Sequence, residues 1–143
     1  MGKKRIIKKG EEAPAPEAKQ IGPQSSSKKV REGRVYVYSS YNNIIMTLTD
    51  RTGHVLAQVS AGAIGFKGTK KSTPFAASKV ADALTQIAKN KGVEELEVFL
   101  KGVGAGRDSA LRALGAKGFA ILSIEDTTPV PHNGPRAAKV RRV

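Results

Sequence analysis

The sequence predicts an α/β domain built on a mixed sheet of about five strands, three of them in an antiparallel meander followed by helix, strand, helix and strand. Three observations carry this. Apolar and polar residues alternate with period two through residues 34–60. The spacing then changes to a helical repeat immediately after Thr73-Pro74. A strand, a glycine-rich turn, a short helix and another strand follow over residues 96–126.

The elements come in order. "RVYVYSS" and "NIIMTLTD" are rich in β-branched and aromatic residues and read as strands, with "SYNN" supplying the turn between them. "DRTG" joins the second strand to a third, "HVLAQVS", which completes the meander. Thr73 before Pro74 fits a helix N-cap with proline at the first helical position, where its missing N–H costs nothing. Ala77, Val80, Ala81, Leu84, Ile87 and Ala88 then recur on one helical face, and "NKG" closes the helix near Gly92. "LEVFLKG" is the fourth strand. "RDSALRALGAKG" is a second helix with Ala110, Leu111 and Leu114 facing inward, and "FAILSIED" is the last strand. A strand–helix–strand unit of this length needs a parallel crossover, so the sheet is of mixed direction. The expected division is a disordered arm over 1–32, one α/β domain over 33–128 and an extended basic tail over 129–143. The arm alternates basic, Ala-Pro-Glu and Ser-Lys stretches, with too few large apolar residues to offset the entropy of ordering.

Charge narrows the function. The chain has 143 residues and a formal net charge of +13, so its partner is acidic: nucleic acid, an anionic membrane surface or an acidic protein. No apolar run reaches the ~20 residues that a membrane-spanning helix needs. The first residues lack the apolar stretch of a secretory signal, and Glu11, Glu12 and Glu17 argue against a transit peptide. There is no cysteine, which fits a reducing compartment and removes disulfides and thiolate chemistry. Aromatic residues make up 5% with no tryptophan, which weighs against base stacking as the main binding mode. Tyr36 and Tyr38 sit in a strand pattern and read as packing residues.

Two glycine-rich stretches suggest phosphate, but neither has the grammar of a nucleotide cofactor site. In "SAGAIGFKGTKKSTPFAA" the lysines follow Gly68 one place too late for a Walker loop, and the stretch follows an antiparallel meander. In "KGVGAGRD" the spacing is G-x-G-x-G rather than G-x-G-x-x-G, with no acid at the ribose distance. That second loop reads both as a tight strand-to-helix turn needing positive φ and as a small anion site beside Arg107. No cofactor is expected. The two loops point instead to a polymer of phosphates.

Charge placement agrees. Between Arg51 and Ala81 there is no acid, and Lys67, Lys70, Lys71 and Lys79 lie there. From Thr127 onward there is again no acid, but there are His132, Arg136, Lys139, Arg141 and Arg142. With no cysteine and only two histidines there is no zinc-ligand set, so no metal is expected, and neither helix concentrates the cations of a groove-reading element. Loops and a tail carrying the charge suit folded RNA, which proteins recognise by shape, phosphate and 2′-hydroxyl.

"GFKGTKKSTPFAA", "LKGVGAGRDSALRAL", "GFAILSIEDTTPVPHNG" and the basic "AAKVRRV" together resemble the small-subunit ribosomal protein S-eleven family, in its bacterial and organellar branch, from about Gly33 to Val143. The chain departs from the family in having GVGAGR where GPGPGR is common, Pro135 where a cysteine follows HNG, and a tail poorer in proline and lysine. The resemblance implies a fold with a ribonuclease-H-like outline. It implies a structural, non-enzymatic role on the platform of the cytoplasmic small ribosomal subunit: bridging helices of its rRNA and helping to form the mRNA exit cleft that holds the Shine-Dalgarno helix. The neighbours it implies are the S-six, S-seven, S-eighteen and S-twenty-one families and mRNA, with no membrane. The RNA-binding residues it implies are Asn42 and Asn43 in a turn, Lys67, Lys70 and Lys71 on phosphate, Ser72 and Thr73 as hydrogen-bond donors, Arg107, and His132, Asn133, Arg136, Lys139, Arg141 and Arg142 between RNA helices. Asn42 and Asn43 read equally as turn formers and Thr73 as a helix cap. Asn133-Gly134 is also a candidate for isoaspartate formation, because glycine leaves the following backbone N–H unshielded.

Two other classes compete. A metal-dependent ribonuclease-H-like nuclease would need Asp50, Glu97 and Asp126 to converge on Mg²⁺. A free nucleoid or RNA-chaperone protein would be abundant outside ribosomes.

Overall fold

Alternation along the first strand, β1 (Glu32–Ser39), decides which way the sheet faces: Val35, Val37 and Ser39 are buried, while Tyr36 and Tyr38 on the opposite side are exposed. The computed structural model describes residues 30–140. Within them β2 (Ile44–Asp50) and β3 (Val55–Ser60) complete the antiparallel meander. Helix α1 (Pro74–Asn90), β4 (Glu95–Lys101), α2 (Arg107–Ala116) and β5 (Ala120–Asp126) follow. The sheet order is β3-β2-β1-β4-β5, with β1, β4 and β5 mutually parallel. The expected mixed five-stranded sheet with two helices is what the described residues form.

Both helices lie on one face. Ala76, Ala77, Val80, Ala81, Leu84 and Ala88 of α1 and Ala110 and Leu114 of α2 share one core with Ile44, Met46, Leu48, Leu96, Val98 and Leu100. Completely burying side chains of the Leu, Ile and Val class is favourable by roughly 1.5–3 kcal/mol each, so this single layer is the main stabilising term. Val30 packs against the same core, and its amide donates to the carbonyl of Lys91. Among the described residues the opposite face has no helix; there Tyr36 stacks on Phe99 with ring centroids 5.0 Å apart, and Arg34 pairs with Glu97 at 2.7 Å. At the sheet edge β5 is largely uncovered, so Leu122 and Ile124 remain exposed despite the apolar pattern.

The segment expected to be a loop before α1 contains a short 3-10 helix, Gly68–Ser72. Side chains help to close it: the hydroxyls of Ser72 and Thr73 donate to the carbonyls of Thr69 and Lys70 at 3.3 and 2.9 Å.

Topology now places the loops. Because β1, β3, β4 and β5 run one way and β2 the other, residues 40–43, 61–73, 102–106 and 127 onward all emerge at one end of the sheet. The amino ends of both helices follow loops at that same end, while residues 51–54, 91–94 and 117–119 turn at the opposite end.

Candidate nucleic-acid interface

Among the loops at that end, 102–106 is packed directly against the end of β1. Gly102 has φ +101, and a Cβ there would stand 2.1 Å from the Ser39 carbonyl oxygen. A Cβ at Gly104 would stand 2.3 Å from Ser39 Oγ and 2.4 Å from the Ser40 carbonyl oxygen. The Gly104 amide donates to the Ser39 carbonyl at 3.0 Å. These glycines let two backbones touch, so the loop is a steric cradle between the end of β4 and the end of β1. Of the two readings of this loop, the tight turn describes Gly102 directly.

Arg107 closes the cradle from the side. Its Nη1 donates to the Gly102 carbonyl at 3.0 Å, and its Nη2 donates to the carboxylate of Asp126. Asp126 Oδ1 also accepts from the amide and the hydroxyl of Thr128, at 3.0 and 2.6 Å, while the Thr128 oxygen accepts from the Gly102 amide at 3.1 Å. The Thr128 hydroxyl first, then Arg107, hold the Asp126 carboxyl at about 2, below its ordinary 3.8. A ring of hydrogen bonds thus ties the root of the C-terminal segment to the glycine loop. The Arg107 side chain is only 26% exposed, so much of its hydrogen-bonding capacity is engaged inside the chain.

The lysines are placed differently. Lys67 and Lys70 are exposed and Lys71 is half-buried, and among the described residues none of the three has an acidic side chain within 4.0 Å. At the other end, by contrast, Arg31 pairs with Glu94 and Glu95, and Arg51 with Glu32. The cations Arg31 and Arg51 are therefore neutralised at that end, whereas at the loop end Arg107 is paired with Asp126 but Lys67, Lys70 and Lys71 are left uncompensated among the described residues. Thr73 Oγ1 accepts from the Ala76 amide at 3.3 Å, so it is the cap of α1 as well as a neighbour of the lysines.

The family model described as ribosomal protein S11 matches residues 33–142. The chain belongs to that family. Small ribosomal subunit protein uS11 of Colwellia psychrerythraea is 53% identical over 116 residues, which cover 81% of this chain and 90% of that protein. The protein of the same name from Treponema pallidum is 50% identical over 120 residues, 84% of this chain and 95% of its own. That from Neisseria meningitidis is 53% identical over 116 residues, 81% and 88%. The S11 family is one of ribosomal structural proteins, not of enzymes.

In this S11 chain Asn42 is exposed, whereas Asn43 Oδ1 accepts from the Ile44 amide at 2.9 Å and so serves the turn into β2. His132, Asn133, Arg136 and Lys139 lie in an exposed segment with neither helix nor strand. Asn133 has φ +55, a left-handed conformation that asparagine tolerates. Arg141 and Arg142, and the arm up to residue 29, lie outside the described residues.

The carboxylates expected of a nuclease do not converge. Asp50 ends β2 at the neutralised end, where it accepts from the Thr52 hydroxyl and from the amides of Thr52 and His54. These bonds, the Thr52 hydroxyl foremost, hold its carboxyl below the usual range. Glu97 is paired with Arg34, and Asp126 ends β5 at the opposite end of the sheet. The nuclease reading is thereby overturned.

One exposed group went unnoticed in the sequence. Phe75 is 64% exposed at the start of α1, in edge contact with Phe66 at 6.0 Å between centroids and with Lys79 Nζ 5.7 Å from its ring. The signal was present: position 75 falls outside the apolar stripe running from Ala77 through Val80, Ala81 and Leu84.

Proposed function

We propose that this chain is a structural constituent of the small ribosomal subunit in the cytoplasm and binds the rRNA of that subunit through the loop end of its sheet. The observation that carries the reading is the uncompensated charge of Lys67, Lys70 and Lys71 at that end, in a member of the S11 family. Phosphate backbone supplies the missing counter-charge. Ser72, Asn42 and the segment with His132, Asn133, Arg136, Lys139, Arg141 and Arg142 extend the contact between RNA helices. Thr73 and Asn43 hold the loops, and Arg107 serves the interface by fixing the root of the tail.

On this reading the protein sits on the platform, bridges rRNA helices and lines the mRNA exit cleft beside the S-six, S-seven, S-eighteen and S-twenty-one families. The strand order 3-2-1-4-5 supports the ribonuclease-H-like outline, used here as a scaffold without chemistry. Asn133-Gly134 is a site of isoaspartate formation in the same exposed segment. Sucrose-gradient fractionation tests the whole: the chain should co-sediment with small subunits, and a chain found mainly in free fractions would refute the assignment.

A further inference from the structure

The structure assigns a nucleobase-stacking site to Phe75. A single exposed apolar side chain is ordinary on a protein surface, but Phe75, 64% exposed, is not isolated. Phe66 meets it in a T-shaped contact, with planes at 79°, and Ile64, two residues before Phe66 in the chain, is 38% exposed. Lys79 stands against the ring, and Lys67, Lys70 and Lys71 belong to the loop that leads into α1, in a stretch from Arg51 to Ala81 without one acidic residue. Among the described residues, Lys79 alone of the four has an acidic neighbour, Asp82 at 4.0 Å.

An exposed aromatic ring beside a loop of lysines without acidic partners matches an unpaired nucleotide, whose base offers a π-face and whose phosphates offer charge. A basic protein segment would be repelled by the same lysines, and a duplex would keep its bases stacked inward, out of reach of the ring. Lys79, now over the ring, is a surface side chain that can turn to phosphate when a base takes its place. Phe66 holds the ring at the mouth of the lysine loop. The site therefore takes a base splayed out of a single-stranded loop or bulge.

This inference rests on the rRNA-binding reading, and the test separates the two. The probes are a single-stranded oligoribonucleotide carrying 2-aminopurine and a duplex of the same length, titrated with the full chain across salt concentrations. The variants are Phe75→Leu, which keeps apolar packing without a π-face, and Phe75→Tyr, which keeps the ring; thermal melts establish that both fold. Phe75→Leu should weaken single-strand binding roughly 5- to 140-fold, the range that corresponds to ~1–3 kcal/mol of stacking per base. It should abolish 2-aminopurine quenching and leave both the salt slope and duplex binding unchanged, while Phe75→Tyr behaves like the parent. Equal binding by Phe75→Leu overturns the proposal and leaves the ring as an anchor for the loop. If that variant binds RNA normally but enters small subunits poorly, the occupant is a protein and the proposal is equally overturned. Failure of the parent chain to bind either RNA defeats the rRNA reading itself.

Discussion

The guanidinium of Arg107 donates to the carboxylate of Asp126, nineteen residues further along the chain, at the point where β5 gives way to the basic tail. Through Thr128 and Gly102 the same ring reaches the end of β4. Removing any member should loosen the root of the tail while the sheet stays folded. Arg107→Ala, Asp126→Asn and Thr128→Val should each speed amide exchange at Gly102 and Thr128. All three should weaken rRNA binding with an unchanged salt slope. Asp126→Asn is the sharpest case. Deleting a negative charge would strengthen RNA binding if Arg107 acted directly on phosphate, whereas loss of the ring weakens it. Tighter binding by that variant would show that the ring is not the role of Arg107.

The carboxyl of Asp126 gives a pH signature. Its folded value of about 2 lies below the ordinary 3.8, so the stability it contributes is complete above the unfolded value and disappears as pH falls from about 4 through about 2. Urea midpoints of the parent should fall across that window more than those of Asp126→Asn. Carbon-detected titration should show the Asp126 midpoint rising more in Thr128→Val than in Arg107→Ala, because the Thr128 hydroxyl is the larger cause. An Asp126 midpoint near 3.8 in the parent would dissolve the ring in solution.

The glycine cradle predicts a graded series. Gly102→Ala and Gly104→Ala would drive a methyl into backbone, at 2.1 and 2.4 Å, which cannot rotate away. Both should cost at or above the upper end of the ~1–3 kcal/mol typical of overpacking, with added strain at Gly102 from its positive φ. Gly106→Ala meets the Ala77 methyl at 2.9 Å and Ile44 Cδ1 at 3.1 Å, so its cost should be smaller. Gly115→Ala, inside α2 with Ile121 Cδ1 at an ordinary 3.7 Å, should instead stabilise by ~0.5–1 kcal/mol. Urea unfolding of the four variants reads the order directly.

How much of this was legible in the sequence follows from which interactions are local. The alternation of Val35 and Val37 with Tyr36 and Tyr38, and the Thr73-Pro74 cap, depend on near neighbours and were readable. So was the stretch of lysines without acids. That Arg107 would be held by Asp126 was not readable, because only the parallel pairing of β4 with β5 brings Gly102 and Thr128 together. For the same reason the approach of Ser39 to Gly102 and Gly104 is not encoded in "GVGAG", which by itself fits both a tight turn and an anion site. Three loops and a tail meeting at one end is a property of strand direction, and no local pattern encodes it.

Asn133 combines φ +55 with an exposed position and a glycine on its C-terminal side. Attack of the Gly134 amide nitrogen on the Asn133 side-chain carbonyl expels ammonia, and water then opens the succinimide to isoaspartate. Enzymatic isoaspartyl labelling followed by peptide mapping should find the modified residue at position 133 in mature small subunits, and Gly134→Val should suppress it by shielding the nitrogen. Maps containing only unmodified Asn133 would remove the site.

Lys67, Lys70 and Lys71 separate binding from folding. None makes an ion pair among the described residues, so changing all three to alanine should leave the urea midpoint in place. Each phosphate contact contributes roughly 0.7–0.9 to the slope of log affinity against log salt, so the triple variant should flatten it by about 2–3. Thr73→Ala should do the reverse: losing the cap of α1 costs ~1 kcal/mol of stability while the slope holds. The two variants together form a crossed control, since a general loss of structure would move both quantities in both proteins. A triple variant with the parental slope would place the phosphate contacts elsewhere on the chain.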